Sequence, residues 1–410
     1  MNVRIVIGKS FGDEGKGLAV DYFSGLAEKS GRRCLVIRHN GGDQAGHTVD
    51  LQNGRFVFHQ LSSGSFRSAD TLWADTFLPD LFKLLEEAQG FFEINRTMPE
   101  ILSFGGCPCV VIDDVLVNMA LETSRGHNRH GSCGMGINEC KMRQSEGFSL
   151  TLEEVRDLNP GELFRRLKRF RIEYGQRDIE ALKAKFKKNN PGEPADYYDM
   201  LTDDGVLFTY VKYLKEGIRS IKLVDASKDW LSRYDQIVFE TGQGLLLDED
   251  YTIYAPHLTP SKTGLHNIAQ FLEKRDMPLN EFIYVTRPYV TRHGNGPLPH
   301  ELKREELPGV GKDSTNMDNE WQGSIRYAKH ESFQSFDGPV RDDVKSVLHM
   351  KCMRGAMVSV LLTHLDETND IVYFQDGDIH SKDLMKTLLE DYGYTRVYTS
   401  HSRFGTDMYK

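Results

Sequence analysis

The chain has 410 residues and a net charge of −9 at neutral pH, which gives no support to nonspecific nucleic-acid binding, since such binding needs a basic surface. A hydrophobic content of 39% and a charged content of 27% are typical of an ordinary protein that buries a core. No signal peptide is visible and no apolar run approaches the roughly 20 residues that span a bilayer, so we expect a cytoplasmic protein with neither membrane nor nucleic-acid partners.

The first predicted elements are a buried strand over residues 3–8, a glycine-rich loop and a helix that begins near residue 18. The loop contains three glycines and a lysine: Gly12, Gly15, Gly17 and Lys16. Backbone N–H groups and the helix dipole favour an anion there, although the Walker spacing is absent and a tight turn is the alternative. The carboxylates of Asp13 and Glu14 beside a phosphate-binding lysine favour Mg²⁺ chelation or general-base chemistry.

A second glycine-rich loop, residues 39–48, follows a second predicted strand over 33–38. It contains His47 directly after a strand, where α/β folds place ligand sites, although a lone histidine is more often structural. A strand over 56–61 and a helix over 80–90 are predicted next.

The middle of the chain contains a third glycine-rich segment, residues 131–136, after a further predicted buried strand over 109–114. Ser132 and Cys133 offer a hydroxyl, a thiol and free amides that could hold a phosphate, although a polar surface loop is the alternative. Charged and apolar residues then alternate over 150–230, which predicts amphipathic helices and a helical subdomain.

The last third of the chain returns to a strand pattern. Buried strands are predicted over 235–240, 282–287, 359–366 and 370–374. Strands that repeatedly end in a glycine-rich or charged loop indicate an α/β fold with a mainly parallel central sheet flanked by helices. We therefore expect one large domain over 1–410, with the helical subdomain at 150–230.

Four loops resemble those of the adenylosuccinate synthetase family, in that family's order and at about its spacing. They span residues 11–17, 41–48, 242–248 and 291–299. The resemblance implies a P-loop-like nucleotide-binding fold and a C–N ligase in which GTP phosphorylates the 6-oxygen of IMP. The amino group of aspartate then displaces the phosphate and adenylosuccinate forms. Mg²⁺ as cofactor and a homodimeric assembly are also implied.

The resemblance also implies roles for individual residues. Asp13 matches the family's base and magnesium ligand, His47 matches its acid, and the carbonyl of Gly46 would complete the Mg²⁺ shell. Lys16 would hold phosphate and Gln243 would orient the purine. The remaining predicted nucleotide contacts are Gly12, Gly15, Gly17, Ser132, Cys133, Thr259, Arg292, Asp366 and Arg143. In a homodimer, Arg143 would reach the nucleotide held by the other subunit.

Three segments depart from the family pattern. Cys133 stands where the family has a threonine near the nucleotide 5′-phosphate. The guanine-reading segment keeps Asp366 but has His364 in place of lysine, so GTP is the expected donor and ATP the alternative. The predicted amino-acid loop, 313–326, has one arginine where the family has a cluster for the carboxylates of aspartate. Its candidate contacts are Thr315, Asn316, Asn319, Gln322 and Arg326.

The sequence thus leaves three functions open. The first is the ligase that joins IMP and aspartate, and the second is a specialised paralogue that uses dGMP or another nucleotide or amine, like the phage 2-aminoadenylosuccinate synthetases. Asp13 argues against a straightforward member of the phage group, whereas the rewritten 313–326 loop argues against an ordinary housekeeping enzyme. The third is a noncatalytic nucleotide sensor, which the intact Asp13, Lys16, His47 and Gln243 disfavour.

Overall fold

The computed structural model describes residues 1–52, 54–126, 131–311 and 323–409, and a ten-stranded sheet organises them. Numbered along the described chain, the strands are β1 (Asn2–Gly8), β2 (Cys34–Arg38), β3 (His47–Leu51), β4 (Gly54–Phe58), β5 (Asp70–Trp73), β6 (Ile101–Ser103), β7 (Ile221–Leu223), β8 (Gln236–Gly244), β9 (Glu281–Thr286), β10 (Val290–Arg292), β11 (Glu301–Leu302), β12 (Arg326–Ala328), β13 (Met357–Leu362), β14 (Ile371–Val372), β15 (Ile379–His380), β16 (Arg396–Ser400) and β17 (Met408–Tyr409).

The α-helices of the described chain lie between these strands. They are α1 (Lys16–Lys29), α2 (Leu81–Asn95), α3 (Ile112–Ser124), α4 (Ile137–Ser145), α5 (Leu152–Asp157), α6 (Pro160–Phe170), α7 (Ile179–Asn189), α8 (Asp196–Met200), α9 (Asp204–Gly217), α10 (Lys228–Leu231), α11 (His266–Glu273), α12 (Gly338–Val347) and α13 (Ser381–Glu390). None of the helices in the described parts of the chain is long and apolar enough to cross a membrane.

The central sheet has the strand order β17-β16-β13-β9-β1-β8-β2-β5-β6-β7. Nine of these strands run parallel within the described chain, and β17 pairs antiparallel to β16 at one edge. Parallel strands bury both faces, which explains their nearly continuous apolar sequences. The predicted α/β fold with a mainly parallel central sheet is therefore confirmed.

Successive residues of β1 show how the two faces are covered. Val3, Ile5 and Ile7 belong to a cluster that includes residues of α11, α12 and α13. Val6 points to the opposite face and packs in a cluster with residues of α1. Because β1 lies between β8 and β9, the loop after it emerges at the centre of the sheet.

The strand predicted over 109–114 is wrong. Helix α3 begins at Ile112, and the backbone N–H of Val111 donates to the carboxylate of Asp114 at 2.9 Å. Acidic residues in the first turn of a helix are stabilised by its dipole and by free N–H groups, so Asp113 and Asp114 favour a helix start. The predicted strand over 370–374 is shorter in the structure, where β14 covers only Ile371–Val372.

The segment 150–230 is helical, as predicted, and contains α5 to α10. It also contains β7, which pairs with β6 at the edge of the sheet and was not predicted. Leu163, Leu167 and Leu214 of this segment share a hydrophobic cluster with Trp73 of β5. The helices thus pack onto the same structure as the sheet, and their assignment to a separate subdomain stays a prediction.

Candidate active site

A cavity of about 1160 Å³ opens at the carboxyl ends of the parallel strands. Loops that follow β1, β2, β8, β9, β13 and β16 line it, together with the segment before α4. This is the edge where open α/β sheets place ligands. The cavity brings together the following predicted residues: Gly12, Asp13, Gly15, Lys16, Gly17, Gly46, His47, Ser132, Cys133, Gln243, Thr259, Arg292 and Asp366.

The buried carboxylate of Glu14 fixes the shape of the loop after β1. One oxygen accepts hydrogen bonds from the backbone N–H groups of Ser10 and Gly12, each at 2.9 Å, and the other pairs with Nζ of Lys16 at 3.1 Å. Gly15 has φ +96°, and a Cβ there would lie 3.1 Å from Cγ2 of Thr363. The loop therefore needs glycine at this position and a carboxylate at position 14, and Glu14 is structural.

Asp13 occupies a different environment from Glu14. Its backbone is left-handed with φ 60°, and its carbonyl accepts a hydrogen bond from Nε of Arg287 at 2.5 Å. Its carboxylate is 24% exposed, with Oδ2 3.7 Å from Nε2 of His293. Asp13 thus presents a carboxylate to the cavity. His293 was not singled out from the sequence, although it lies in the 291–299 loop that resembles the family.

His47 lies between two oxygen atoms, one at each ring nitrogen. Nδ1 lies 2.6 Å from Oε1 of Glu240, and Nε2 lies 3.2 Å from the carbonyl oxygen of Gly242. The hydroxyl and the backbone N–H of Ser63 also donate to Glu240. Burial lowers the pKa of His47, and Glu240 acts in the opposite direction. These contacts fix the plane of the imidazole ring at the cavity wall.

Glu240 was missed as a functional residue because it is the last residue of a predicted buried strand. It is fully buried, and burial opposes its ionisation. Electrostatic interactions with His47 and Arg38, together with hydrogen bonds from His47 and Ser63, outweigh burial and lower the pKa of Glu240 to about 2. Glu240 is therefore an ionised acceptor for the Nδ1–H group of His47.

Gln243 and Thr259 carry buried polar atoms that ligands could satisfy. Oε1 of Gln243 accepts a hydrogen bond from Nδ2 of Asn40 at 3.0 Å. Nε2 of Gln243 and Oγ1 of Thr259 have no hydrogen-bond partner among the described residues. Buried polar groups in proteins are almost always paired, so these two atoms mark places where a ligand or water completes the wall.

Ser132 and Cys133 line the cavity beside α3. The hydroxyl of Ser132 donates to Oδ1 of Asn118 at 2.9 Å. Burial raises the pKa of the Cys133 thiol to about 11, so the thiol is neutral at physiological pH. Glu122 and Glu139, which were not predicted, lie in the same part of the lining. An ionised carboxylate at either position would repel a phosphate bound there.

Arg143 does not line the cavity that the described residues form, and its predicted contact with the nucleotide of a second subunit stays a prediction. Its guanidinium is 1% exposed and forms two parallel hydrogen bonds to the carboxylate of Asp114, at 2.7 and 2.8 Å. A bidentate pair of this kind occupies the planar donor edge of arginine. Arg143 thus stabilises the contact between α3 and α4, and the arginine that does line this part of the cavity is Arg125.

Arg292 lies in the wall with much of its donor capacity already used. Nη1 donates to the carbonyl of Pro297 and Nη2 to that of His257, both at 2.7 Å. Burial and the nearby Arg326 lower the pKa of Arg292 to about 10, which keeps it charged at neutral pH. Asp366 is exposed at another part of the lining that also includes Ser402 and Arg403.

The predicted amino-acid loop is described only at its end. Thr315, Asn316, Asn319 and Gln322 lie outside the described residues. Arg326 begins β12, and its Nη1 lies 3.1 Å from a carboxylate oxygen of Glu301. It is not part of the cavity lining that the described residues form.

The donor set at Asp13 and Gly46 suits Mg²⁺ if substrate phosphates complete the shell. Both residues line the cavity, and the Asp13 carboxylate is partly exposed to it. Within the described residues, no group of three or more His, Cys, Asp or Glu side chains is placed to hold a metal. Mg²⁺ commonly binds one or two carboxylates together with phosphates and water, so the residues present fit this metal.

The fold and the cavity define an α/β protein whose ligand site, at the carboxyl edge of a parallel sheet, combines a glycine-rich loop with a lysine, a partly exposed aspartate and a fixed histidine. The adenylosuccinate synthetase family model matches residues 5–327, and the chain belongs to this family.

Curated relatives resemble this chain at low identity. The adenylosuccinate synthetase of Clostridium botulinum (strain Eklund 17B / Type B) is 27% identical over 311 residues, which are 74% of this chain and 67% of that protein. The enzyme of Ectopseudomonas mendocina (strain ymp) is 30% identical over 311 residues, which are 73% of this chain and 64% of that protein. The chain thus spans about two thirds of the length of these relatives.

Two solved structures share the fold along the whole chain. Fully ligated adenylosuccinate synthetase from Plasmodium falciparum has a TM-score of 0.68 at 16% identity and covers 100% of this chain and 99% of its own. Succinoaminodeoxyadenylate synthetase of cyanophage S-2L, bound to dGMP and to dATP as an energy donor, has a TM-score of 0.60 at 16% identity. It covers 100% of this chain and 95% of its own.

Proposed function

We propose that this protein is a nucleoside-triphosphate-dependent C–N ligase, which phosphorylates the 6-oxygen of a purine nucleotide and couples the purine to an amino acid. The leading substrates are GTP, IMP and L-aspartate, with adenylosuccinate as product. The observation that carries the proposal is that Asp13, Lys16, His47 and Gln243 line one cavity. A noncatalytic sensor would have no need to retain this complete set of base, cation, fixed imidazole and free amide.

In the proposed first step, Asp13 accepts the N1 proton of the 6-oxopurine. The electron pair moves onto the 6-oxygen, which attacks the γ-phosphorus, and the bond to the nucleoside diphosphate breaks. Lys16 and the loop amides stabilise charge on the phosphoryl oxygens, and His47 is held by Glu240 where it can donate to the transferring group. Mg²⁺ bound by Asp13 and Gly46 would neutralise charge on the phosphates.

In the proposed second step, the amino group of the amino acid attacks C6 of the phosphorylated purine. The C–N bond forms, the C–O bond breaks, and the leaving phosphate takes the electron pair together with a proton from the amine. Phosphorylation is needed because an oxygen substituent on the ring is otherwise a poor leaving group. Gln243 would orient the purine through its free Nε2 group during both steps.

A second candidate keeps the reaction but changes the nucleotide to dGMP or the energy donor to ATP. Two features of the cavity lining favour this candidate. Cys133 and Glu139 lie in the wall beside α4, and His364 lies in the segment that also contains Asp366. The cyanophage structure provides a precedent with dGMP and dATP in the same fold.

Phosphate release measured with GTP or ATP, in the presence of IMP, dGMP or neither, tests the proposal. We expect release only with a purine nucleotide and Mg²⁺, and mass spectrometry with the twenty amino acids should identify the product. EDTA should abolish turnover. Release without any purine acceptor, or no release under any condition, would contradict the ligase assignment.

We further propose that the protein is a cytoplasmic homodimer, on the strength of the family it belongs to. Light scattering of the purified chain tests the assembly, and a monomer at micromolar concentration would count against it. Arg143 is buried in an ion pair with Asp114, so its contact with a nucleotide of the other subunit would require that pair to open.

A further inference from the structure

Arg38, at the end of β2, is a buried cation with incomplete hydrogen bonding. Its side chain is 0% exposed, and Nη1 donates to the carbonyl of Leu61 at 2.9 Å. Nε and Nη2 have no hydrogen-bond partner among the described residues. The guanidinium lies 5.3 Å from the centroid of the Phe77 ring. Burying a charge in this way is costly unless a counter-charge lies nearby.

Glu240 supplies that counter-charge from the neighbouring strand. Arg38 and Glu240 are paired in register between the parallel strands β2 and β8. Paired residues of adjacent strands point to the same face, and adjacent strands lie roughly 4.8 Å apart. The segment after β4 connects the two groups, since Leu61 accepts from Arg38 and Ser63 donates to Glu240. Arg38 is thus paired across the strands with Glu240, and Glu240 in turn contacts His47 at the cavity wall.

We propose that Arg38 is a positioning residue for the reaction, acting through Glu240 to fix the imidazole ring of His47. Oε1 of Glu240 accepts from both Nδ1 of His47 and the hydroxyl of Ser63, and both hydrogen bonds are stronger when the carboxylate is ionised. Arg38 favours that charge at a site where both side chains are fully buried. Without it, Glu240 holds the ring less firmly, and Nε2 no longer keeps one direction relative to the transferring phosphoryl group. This inference rests on the proposed function.

Substitution of Arg38 by Met, Gln and Lys tests the inference in the full chain. For Arg38→Met and Arg38→Gln we expect kcat to fall by about 10–100-fold, with KM for the triphosphate changed by less than about threefold. Arg38→Lys restores the charge without the planar donors and should recover part of the loss. A matched control is Arg171→Met, which breaks another buried pair, with Asp113, outside the cavity lining. It should lower stability and leave kcat of the folded fraction unchanged.

A double-mutant cycle shows whether Arg38 acts through Glu240. If it does, the double variant Arg38→Met with Glu240→Gln should have a kcat within about threefold of Glu240→Gln alone. If Arg38→Met does not fold, the comparison of Arg38→Lys with Arg38→Gln decides the matter. Equal kcat in those two variants, wild-type kcat in Arg38→Met, or multiplicative losses in the cycle would overturn the inference. In each of these cases the wild type still releases phosphate in the presence of a purine nucleotide. If the proposed function is wrong, the wild type itself shows no purine-dependent phosphate release.

Discussion

Glu14→Gln is the change that most directly tests how the phosphate loop is built. The substitution keeps the side-chain volume and one oxygen that accepts from Ser10 and Gly12, but it removes the charge that faces Lys16 at 3.1 Å. Both side chains of this pair are 3% exposed, so the ammonium would be left buried without its counter-charge. Breaking a buried pair by removing one partner typically costs about 3–5 kcal/mol.

The expected loss can be read as a change in melting temperature. The unfolding entropy of a chain of this length is about 0.9 kcal/mol per kelvin, so the loss corresponds to roughly 3–6 °C. A bound triphosphate places new negative charge beside Lys16, so a triphosphate should raise the melting temperature of Glu14→Gln by several degrees. The double variant Glu14→Gln with Lys16→Met removes both charges and should regain much of the stability but not the response to nucleotide.

Thermal unfolding followed by circular dichroism, with and without GTP, measures both effects. A melting temperature of Glu14→Gln within about 1 °C of the wild type would refute the idea that Glu14 compensates a buried charge. So would a double variant less stable than either single variant, because the two losses would then be independent.

Three further predictions concern the cavity and the pH dependence of stability. Asp13→Asn and His47→Ala should each lower kcat by roughly 10²–10⁴-fold and leave triphosphate binding, measured by calorimetry, intact. Normal turnover in either variant would exclude that residue from the mechanism. Cys133→Thr adds a hydroxyl donor to the wall and should lower KM for the purine nucleotide by up to about tenfold, and an unchanged KM would show that no phosphate lies there. Burial raises the pKa of Asp80 and that of Glu87 to about 7 each, above the ordinary carboxyl range. The folded state therefore binds more protons than the unfolded state between pH 4 and 7, so stability falls as the pH rises through that window. Glu87→Gln should weaken this dependence of the melting temperature on pH.

The sheet could be predicted from sequence because its strands are short apolar runs bounded by glycine-rich or charged loops. That pattern is a property of each short segment by itself, and it correctly predicted β1, β2, β8, β9 and β13. It failed at residues 109–111, where three apolar residues are extended and buried without joining the ladder. Burial of a short segment does not distinguish a strand from an extended approach to a helix.

The site was predicted where a loop carries its own signature and missed where the role depends on contacts across the fold. Asp13, Lys16 and His47 lie in glycine-rich loops, and the structure brings them to one cavity. Glu240 has no local signal, because its role arises from contact with His47, 193 positions away. His293 lies in the 291–299 loop, but its place beside Asp13 depends on a contact across the fold. The ion pair of Arg143 was missed for the same reason, since its partner Asp114 lies 29 positions earlier and on another helix.

The different surroundings of three carboxylates at the centre of the sheet assign them different roles. Glu14 accepts two backbone N–H groups and faces Lys16, and Glu240 accepts from Ser63 and His47 and is fully buried. Both are saturated with donors, so neither can take a proton from a substrate without breaking a structural contact. Asp13 is partly exposed, and its Oδ2 lies 3.7 Å from Nε2 of His293. Of the three, Asp13 alone keeps a carboxylate that can accept a proton or bind a cation at the cavity surface.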